Sequence, residues 1–288
     1  MSKILEVRRK LESVANIGRV TNAMQLVSAS RFHQSYKKTR ASRPYAQRLQ
    51  QMMRQVDQRM WQETDHVFFR ENTKRSHVDG MIVLGTEKGL CGSLNHRLLK
   101  QVLGELQGSN RQFYWTYGSK INSIMQSLGI EVLGHSAKTK TDGEFFSLLF
   151  TVIEQYKQGL IDRVLVAYNH YDSVMVQRPR ILQLLPLAMD EWLEGNAEQP
   201  AERAKDYLVE PSWKALVDFL LTQWVRVQFY QAALESDASE QAARMVSMKT
   251  ATDNASRLED RLQLQYNNVR QAMITSEIIE IVSGSEAV

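Results

Sequence analysis

Hydrophobic residues recur at steps of three and four along the last quarter of the chain, from about residue 211 to residue 283. No proline interrupts residues 212–283, and the first glycine after Gly195 is Gly284. The spacing predicts one helix of roughly seventy residues, on the order of 100 Å long, which could end at Gly284. A helix of this length cannot be buried within an ordinary domain, so we expect it to pair with another helix in a coiled coil. The residues that set the spacing are Leu216, Leu220, Trp224, Val227, Leu234, Ala238, Ala242, Met245, Met248, Ala255, Leu258, Leu262, Tyr266, Val269 and Met273.

A second helical pattern covers residues 3–60, and its weak points are Gly18 and Pro44. Because proline lacks a backbone donor and restricts the residue before it, we expect a kink or a break near Arg43. The polar segment 70–77 that follows is typical of a linker.

Short apolar segments alternate with helical patterns in the middle of the chain. The predicted strands are residues 80–85, 112–117, 130–133 and 163–168, with residues 174–185 as a further strand that could pair with the last of them; the predicted helices are 93–106, 120–128 and 144–158. This alternation predicts a small α/β domain with a mostly parallel sheet. Residues 188–205 are polar and acidic, as expected for a loop. The predicted fold class is α/β, with a Rossmann-like domain at residues 76–188 inserted between the terminal helices, residues 1–62 and 206–284. We expect these helices to pair as an antiparallel coiled coil; pairing with other chains is the alternative.

The charge is unevenly distributed. Residues 1–60 hold 13 lysines and arginines against three acids, so the remainder of the chain is net negative although the whole carries +4. Such a division predicts that the basic part faces an acidic partner: a protein, a nucleic acid or a membrane surface. The ordinary alternative is a solvated helix face. The candidate residues are Arg31, His33, Lys37, Lys38, Arg40 and Arg43.

Motifs for catalysis are absent from the sequence. It contains no G-x-x-x-x-G-K-[ST] phosphate loop, no G-x-G-x-x-G after a strand, and six scattered histidines without metal-ligand spacing. The nearest candidate is residues 89–92 (GLCG), a turn that could hold an anion at the start of the next helix. A tight turn with a buried thiol at Cys91, the single cysteine, is the simpler interpretation and the one we favour.

Several longer motifs resemble one family. They are EQAARMVSMKTATDN at residues 240–254, RQAMIT at 270–275 with EIVSG at 280–284, GLCG with Leu94 and Asn95, ASRPY at 41–45, and DYL at 206–208 with Glu210 and Pro211. In this order and over nearly the whole chain, the sequence resembles the gamma subunit of F-type (F1Fo) ATP synthases.

The resemblance implies a rotor shaft without a catalytic site or cofactor of its own. The terminal helices would turn inside a hexamer of alternating alpha and beta subunits, and the inserted domain would lie against the epsilon subunit and the membrane ring of c subunits. Rotation would couple ion translocation to ATP synthesis or hydrolysis. The implied location is the cytoplasmic face of the inner membrane of a bacterium, where the chain would touch the membrane only through the complex.

Site residues follow from the resemblance, position by position. Met24, Glu240 and Arg244 match positions that couple rotation to the beta subunits. Arg270, Gln271, Thr275 and Glu277 match the upper shaft, and Tyr207 and Glu210 match the part that contacts the c ring.

The sequence also departs from the family pattern. Asn22 stands where a lysine is usual, Phe32 and His33 replace a methionine and a basic residue, and Ser93 replaces a glycine. These departures predict a divergent or alternate branch, for example a sodium-linked one. Two other hypotheses remain open from the residues alone: a basic coiled-coil protein that binds nucleic acid, and a nucleotide-dependent enzyme built on the α/β insert.

Overall fold

A computed structural model describes residues 2–56, 66–70, 78–105, 111–138, 142–187, 209–210 and 212–286. In chain order these residues form α1 (Ser2–Gln55), a 3-10 turn (Val67–Phe69), β1 (Val78–Leu84), α2 (Leu94–Glu105), β2 (Arg111–Tyr117), α3 (Ser119–Ser127), β3 (Val132–Ser136), α4 (Asp142–Lys157), β4 (Arg163–Tyr171), β5 (Gln177–Leu185) and α5 (Trp213–Glu286). The order of strands and helices predicted for the middle of the chain is confirmed.

The sheet has the strand order β3-β2-β1-β4-β5. Neighbours among the first four strands are parallel, and β5 pairs antiparallel with β4. The chain leaves β1 for β2 on one side, whereas β4 lies on the other side of β1. The carboxyl ends of β1 and β4 therefore flank a topological switch point, which is where open α/β sheets usually bind their ligands.

Both faces of the sheet are covered, as the continuous apolar sequence of β1 predicts. Met81 and Val83 of β1 pack with α2 and α3, whereas Ile82 and Leu84 point to the opposite face, towards α4 and α5. All four of these side chains are fully buried. The face that α5 covers is the one on which the candidate site lies.

The chain divides into two compact units, and each long helix contributes to both. The helical unit holds residues 1–30 and 244–288, and the mixed unit holds residues 31–243 with the sheet. In the helical unit, the Thr252 hydroxyl donates a hydrogen bond to Thr21 Oγ1 at 2.8 Å, and a Cβ placed on Gly18 would lie 3.6 Å from Ala255 Cβ. Residue numbers rise in one helix as they fall in the other, so the helices are antiparallel, as predicted.

Pro44 lies inside α1, which continues unbroken to Gln55. Of the two alternatives expected near Arg43, a break is therefore wrong, and a kink stays a prediction. The helix is held on both sides of the proline: Phe32 packs against Tyr171 with ring centroids 5.4 Å apart, and Leu49 is buried in the main core. Tertiary packing of this kind overrides the local cost of one proline.

The helix predicted from about residue 211 begins at Trp213 and continues through Gly284 to Glu286. The proposed domain limits at residues 62, 76, 188 and 206 stay a prediction, because they and most of the two connecting segments, 70–77 and 188–205, lie outside the described residues.

Candidate functional site

The crevice at the switch point is filled by α5. The Ser236 hydroxyl donates to the carbonyl of Leu84, at the end of β1, and the Ser239 hydroxyl donates to the carbonyl of Asn169 in β4; both distances are 2.8 Å. The two serines lie one turn apart on one face of the helix. The groups that would face a ligand in a nucleotide-binding domain of this topology are here bonded to the protein's own helix.

Lys138, which follows β3, connects this face of α5 to the sheet. Its Nζ lies 3.0 Å from Glu240 Oε2 and also donates to Asp237. The Lys138 side chain is 9% exposed and that of Glu240 3%, whereas Asp237 is one-third exposed. Burial lowers the pKa of Lys138, but the charges and hydrogen bonds of Asp237 and Glu240 outweigh it and raise the pKa above its usual value. The lysine is therefore a cation throughout the physiological pH range.

Glu87, in the loop after β1, extends this network. Its Oε1 accepts from the Ser119 hydroxyl at 2.7 Å, and its Oε2 accepts from the backbone amides of Ser119 and Lys138, both at 3.0 Å. Burial raises the pKa of Glu87, yet these hydrogen bonds bring it below the ordinary value of 4.5. The Glu87 amide in turn donates to Glu240 Oε2 at 3.3 Å. Since Ser119 begins α3, the carboxylate occupies a helix N-terminus that would otherwise suit an anionic ligand.

The GLCG loop forms a tight turn. Leu90 and Gly92 have φ angles of 63° and 62°, and Cys91 is buried in a cluster with Leu94 and Ala243. The Asn95 side chain donates to Thr86 Oγ1 at 2.7 Å and accepts from the Thr86 amide at 3.2 Å, which fixes the loop against α2. This geometry supports the buried-thiol interpretation of the motif.

A search of the described residues finds no cluster of histidine, cysteine, aspartate and glutamate that could hold a metal ion. In the same residues, no helix combines the length and the apolar character that crossing a membrane requires.

A family model described as ATP synthase matches residues 3–288. An ATP synthase gamma chain from Methylibium petroleiphilum is 38% identical over 98% of both chains, and one from Glaesserella parasuis is 37% identical over the full length of both. The chain belongs to the ATP synthase gamma chain family.

Solved structures share the fold of this gamma-family chain. A chain of the Euglena gracilis mitochondrial ATP synthase rotor aligns with a TM-score of 0.64 at 20% identity, covering 95% of this chain and 99% of that one. A chain from a second structure of the same enzyme, containing OSCP, F1 and the c-ring, aligns with a TM-score of 0.68 at 21% identity, covering 99% and 94%. The predicted fold class is thus confirmed.

The residues matched to the gamma family lie in different surroundings. Glu240 belongs to the mixed unit, where it is buried in the network described above. Arg244 is buried and Met24 half-buried, and both belong to the helical unit. The exposed residues are Arg270, Gln271, Thr275 and Glu277 of the helical unit, and Glu210, which lies in a bend. Tyr207 lies outside the described residues.

Sequence reasoning missed several members of this gamma-family network, namely Glu87, Lys138, Ser236, Asp237 and Ser239. One signal was present: Phe229, Ala232, Ser236, Ser239 and Ala243 follow the core-facing period of α5. Polar residues at such positions need buried hydrogen-bond partners. The partners themselves could not be found in this way, because Lys138 and Leu84 are about 100 and 150 residues away along the chain.

Proposed function

We propose that this chain is the central rotor shaft of an F-type ATP synthase, a non-catalytic subunit that couples ion translocation through a membrane ring to ATP synthesis or hydrolysis. Membership of the gamma chain family is the main support. The observation that carries the proposal is the crevice at the switch point: α5 fills the place where an α/β enzyme would bind its substrate. The α/β domain therefore binds the protein's own long helix, α5, at this position.

The proposed partners are the alpha and beta subunits around the paired helices, and the epsilon subunit and the c ring at the α/β domain. The exposed basic face of α1 supports an acidic protein partner. Its members, Arg31, His33, Lys37, Lys38, Arg40 and Arg43, are all exposed. Exposed ion pairs contribute only about 0–1 kcal/mol each. Contacts of this strength suit a shaft that must release each beta subunit in turn.

The proposed coupling residues are Met24, Glu240, Arg244, Arg270, Gln271, Thr275 and Glu277, and the proposed c-ring contacts are Tyr207 and Glu210. The exposure of the four upper-shaft residues supports direct contact with beta subunits. We place the complex at the cytoplasmic face of a bacterial inner membrane, with this chain as a peripheral component. The choice between protons and sodium belongs to the membrane ring.

The nucleic-acid alternative rests on the basic segment alone, and the family match gives it no support. Co-purification from the host tests the proposal against it. A tagged chain should elute with alpha-type and beta-type ATPase subunits and with ATPase activity. Elution without these subunits, or with nucleic acid in a salt-sensitive manner, would contradict the rotor assignment.

A further inference from the structure

The network around Lys138 contains one buried cation between two carboxylates of the same helix turn, Asp237 and Glu240. Lys138 lies two residues after the end of β3, the edge strand of the sheet, whereas the carboxylates belong to α5. The ammonium group of Lys138 in the α/β domain thus forms ion pairs with two carboxylates of the long helix. The two serine hydrogen bonds to β1 and β4 lie on the same stretch of α5, so these polar contacts fall within residues 236–240, next to the apolar packing of residues 217–233 in the main core.

Because these ion pairs are largely buried, the loss of one partner costs more stability than it would at the surface. An exposed ion pair can be lost with little effect, but removing one partner of a buried pair leaves a charge without compensation. Glu240 is 3% exposed, and Glu87, which approaches it through its own backbone amide, is also negative. Without the lysine, Asp237 and Glu240 would lose the ammonium group that both of them contact, which would weaken the attachment of this part of α5 to the end of β3.

We propose that Lys138 is a positioning residue for rotary coupling: its ammonium group fixes Asp237 and Glu240, so that α5 turns together with the α/β domain. The inference rests on the proposed function and assigns Glu240 an internal task. Glu240 contributes to coupling through Lys138 and the loop after β1, since its side chain, 3% exposed, presents little surface to another subunit.

The test uses the whole ATP synthase in inverted membrane vesicles. Two rates are measured on the same vesicles: ATP hydrolysis, and the membrane potential generated by ATP, followed with an oxonol dye that responds to any translocated cation. Lys138→Met removes the charge and keeps the length of the side chain. We expect a several-fold loss of potential generated per ATP hydrolysed, with hydrolysis itself retained. Lys138→Arg retains the charge and should restore most of the ratio.

Lys120→Met is the matched control, because Lys120 is an exposed lysine on the neighbouring helix α3. Its ratio should equal that of the unmodified enzyme. An unchanged ratio in Lys138→Met would overturn the inference. Equal losses in Lys138→Met and Lys138→Arg would also overturn it, since they would show that packing and not charge is required.

If the Lys138→Met chain does not enter the ATP synthase, a triple variant tests the inference instead. It combines Lys138→Met, Asp237→Asn and Glu240→Gln. It removes the lysine together with the two carboxylates that it contacts, and Glu87 keeps its hydrogen bonds from Ser119 and the backbone amide of residue 138, so the chain should enter the complex, yet coupling should be impaired because the ionic attachment is gone. Normal coupling in this variant would refute the role of Lys138. Failure of the proposed function is recognised separately, because then the unmodified chain would not purify with ATPase subunits at all.

Discussion

The Glu87 side chain makes internal hydrogen bonds at the carboxyl end of the sheet, where a ligand could otherwise bind. The carboxylate accepts hydrogen bonds from the first turn of α3 and from the Lys138 amide, and its own amide donates to Glu240. Helix N-termini commonly bind phosphate or another anion. With the carboxylate in this place, the end of the sheet is joined to α5.

Acid should weaken this part of the molecule through Glu87. Its pKa is lowered in the folded chain, so its contribution to stability is present above the unfolded-state value of about 4.5 and is lost as the pH falls through the lower folded value. We expect the unfolding free energy of the wild-type chain to fall more steeply below pH 5 than that of Glu87→Gln. Urea titrations at a series of pH values measure the difference. Parallel curves would contradict it, because the remaining acids facing the site, Asp237 and Glu240, are present in both proteins.

Gly118 has a φ of 116°, and a Cβ at this position would lie 2.8 Å from the carbonyl oxygen of Thr86. Both the backbone strain and the clash oppose a side chain, so Gly118→Ala should lower the unfolding free energy by about 1–3 kcal/mol. Denaturant unfolding of the purified chain measures this change.

Gly104→Ala is the matched control. A Cβ on Gly104, within α2, meets nothing within 4 Å. Because alanine reduces the entropy of the unfolded chain and suits a helix, this variant should gain about 0.4–1 kcal/mol. Similar losses in the two variants would show that glycine as such, and not the geometry at Gly118, is responsible.

At the scale of elements, periodicity was sufficient to predict the long helices and the order of strands and helices along the chain. The end of α5 and the course of α1 were less predictable. Gly284 and Pro44 are local signals for stopping a helix, but their effect depends on what the neighbouring turns pack against. The buried residues Phe32 and Leu49 on either side of Pro44 supply that packing, and a linear sequence does not reveal it.

The helix pair of the helical unit should tolerate a methyl group at Gly18 and no more. A Cβ there lies in ordinary contact with Ala255 at 3.6 Å, so Gly18→Ala should stabilise the chain by up to about 1 kcal/mol through helix propensity. Gly18→Leu should destabilise it by about 1–3 kcal/mol, because the larger side chain forces the helices apart at this level. Thermal unfolding of both variants measures the effects. Equal stability of the two would contradict close packing at this position.

At the scale of the whole molecule, linear motifs were sufficient to predict the family, since residues 240–254 and 270–284 carry it without any knowledge of contacts. The internal attachment was not predictable, because Lys138 and Glu240 lie on elements far apart in sequence and no periodicity relates them. The family motif pointed to Glu240 but not to its partner. The structure adds that partner and so changes the expected task of Glu240.

Direct observation of rotation tests the central claim. Met175, in the turn between β4 and β5, is 75% exposed, whereas Cys91 is buried, so a Met175→Cys variant offers a site for attaching a bead. With the alpha and beta subunits fixed to a surface, added ATP should drive the bead continuously in one direction, with pauses set by the arrangement of the beta subunits. A complex that hydrolyses ATP while the bead only fluctuates about a fixed angle would contradict the rotor assignment.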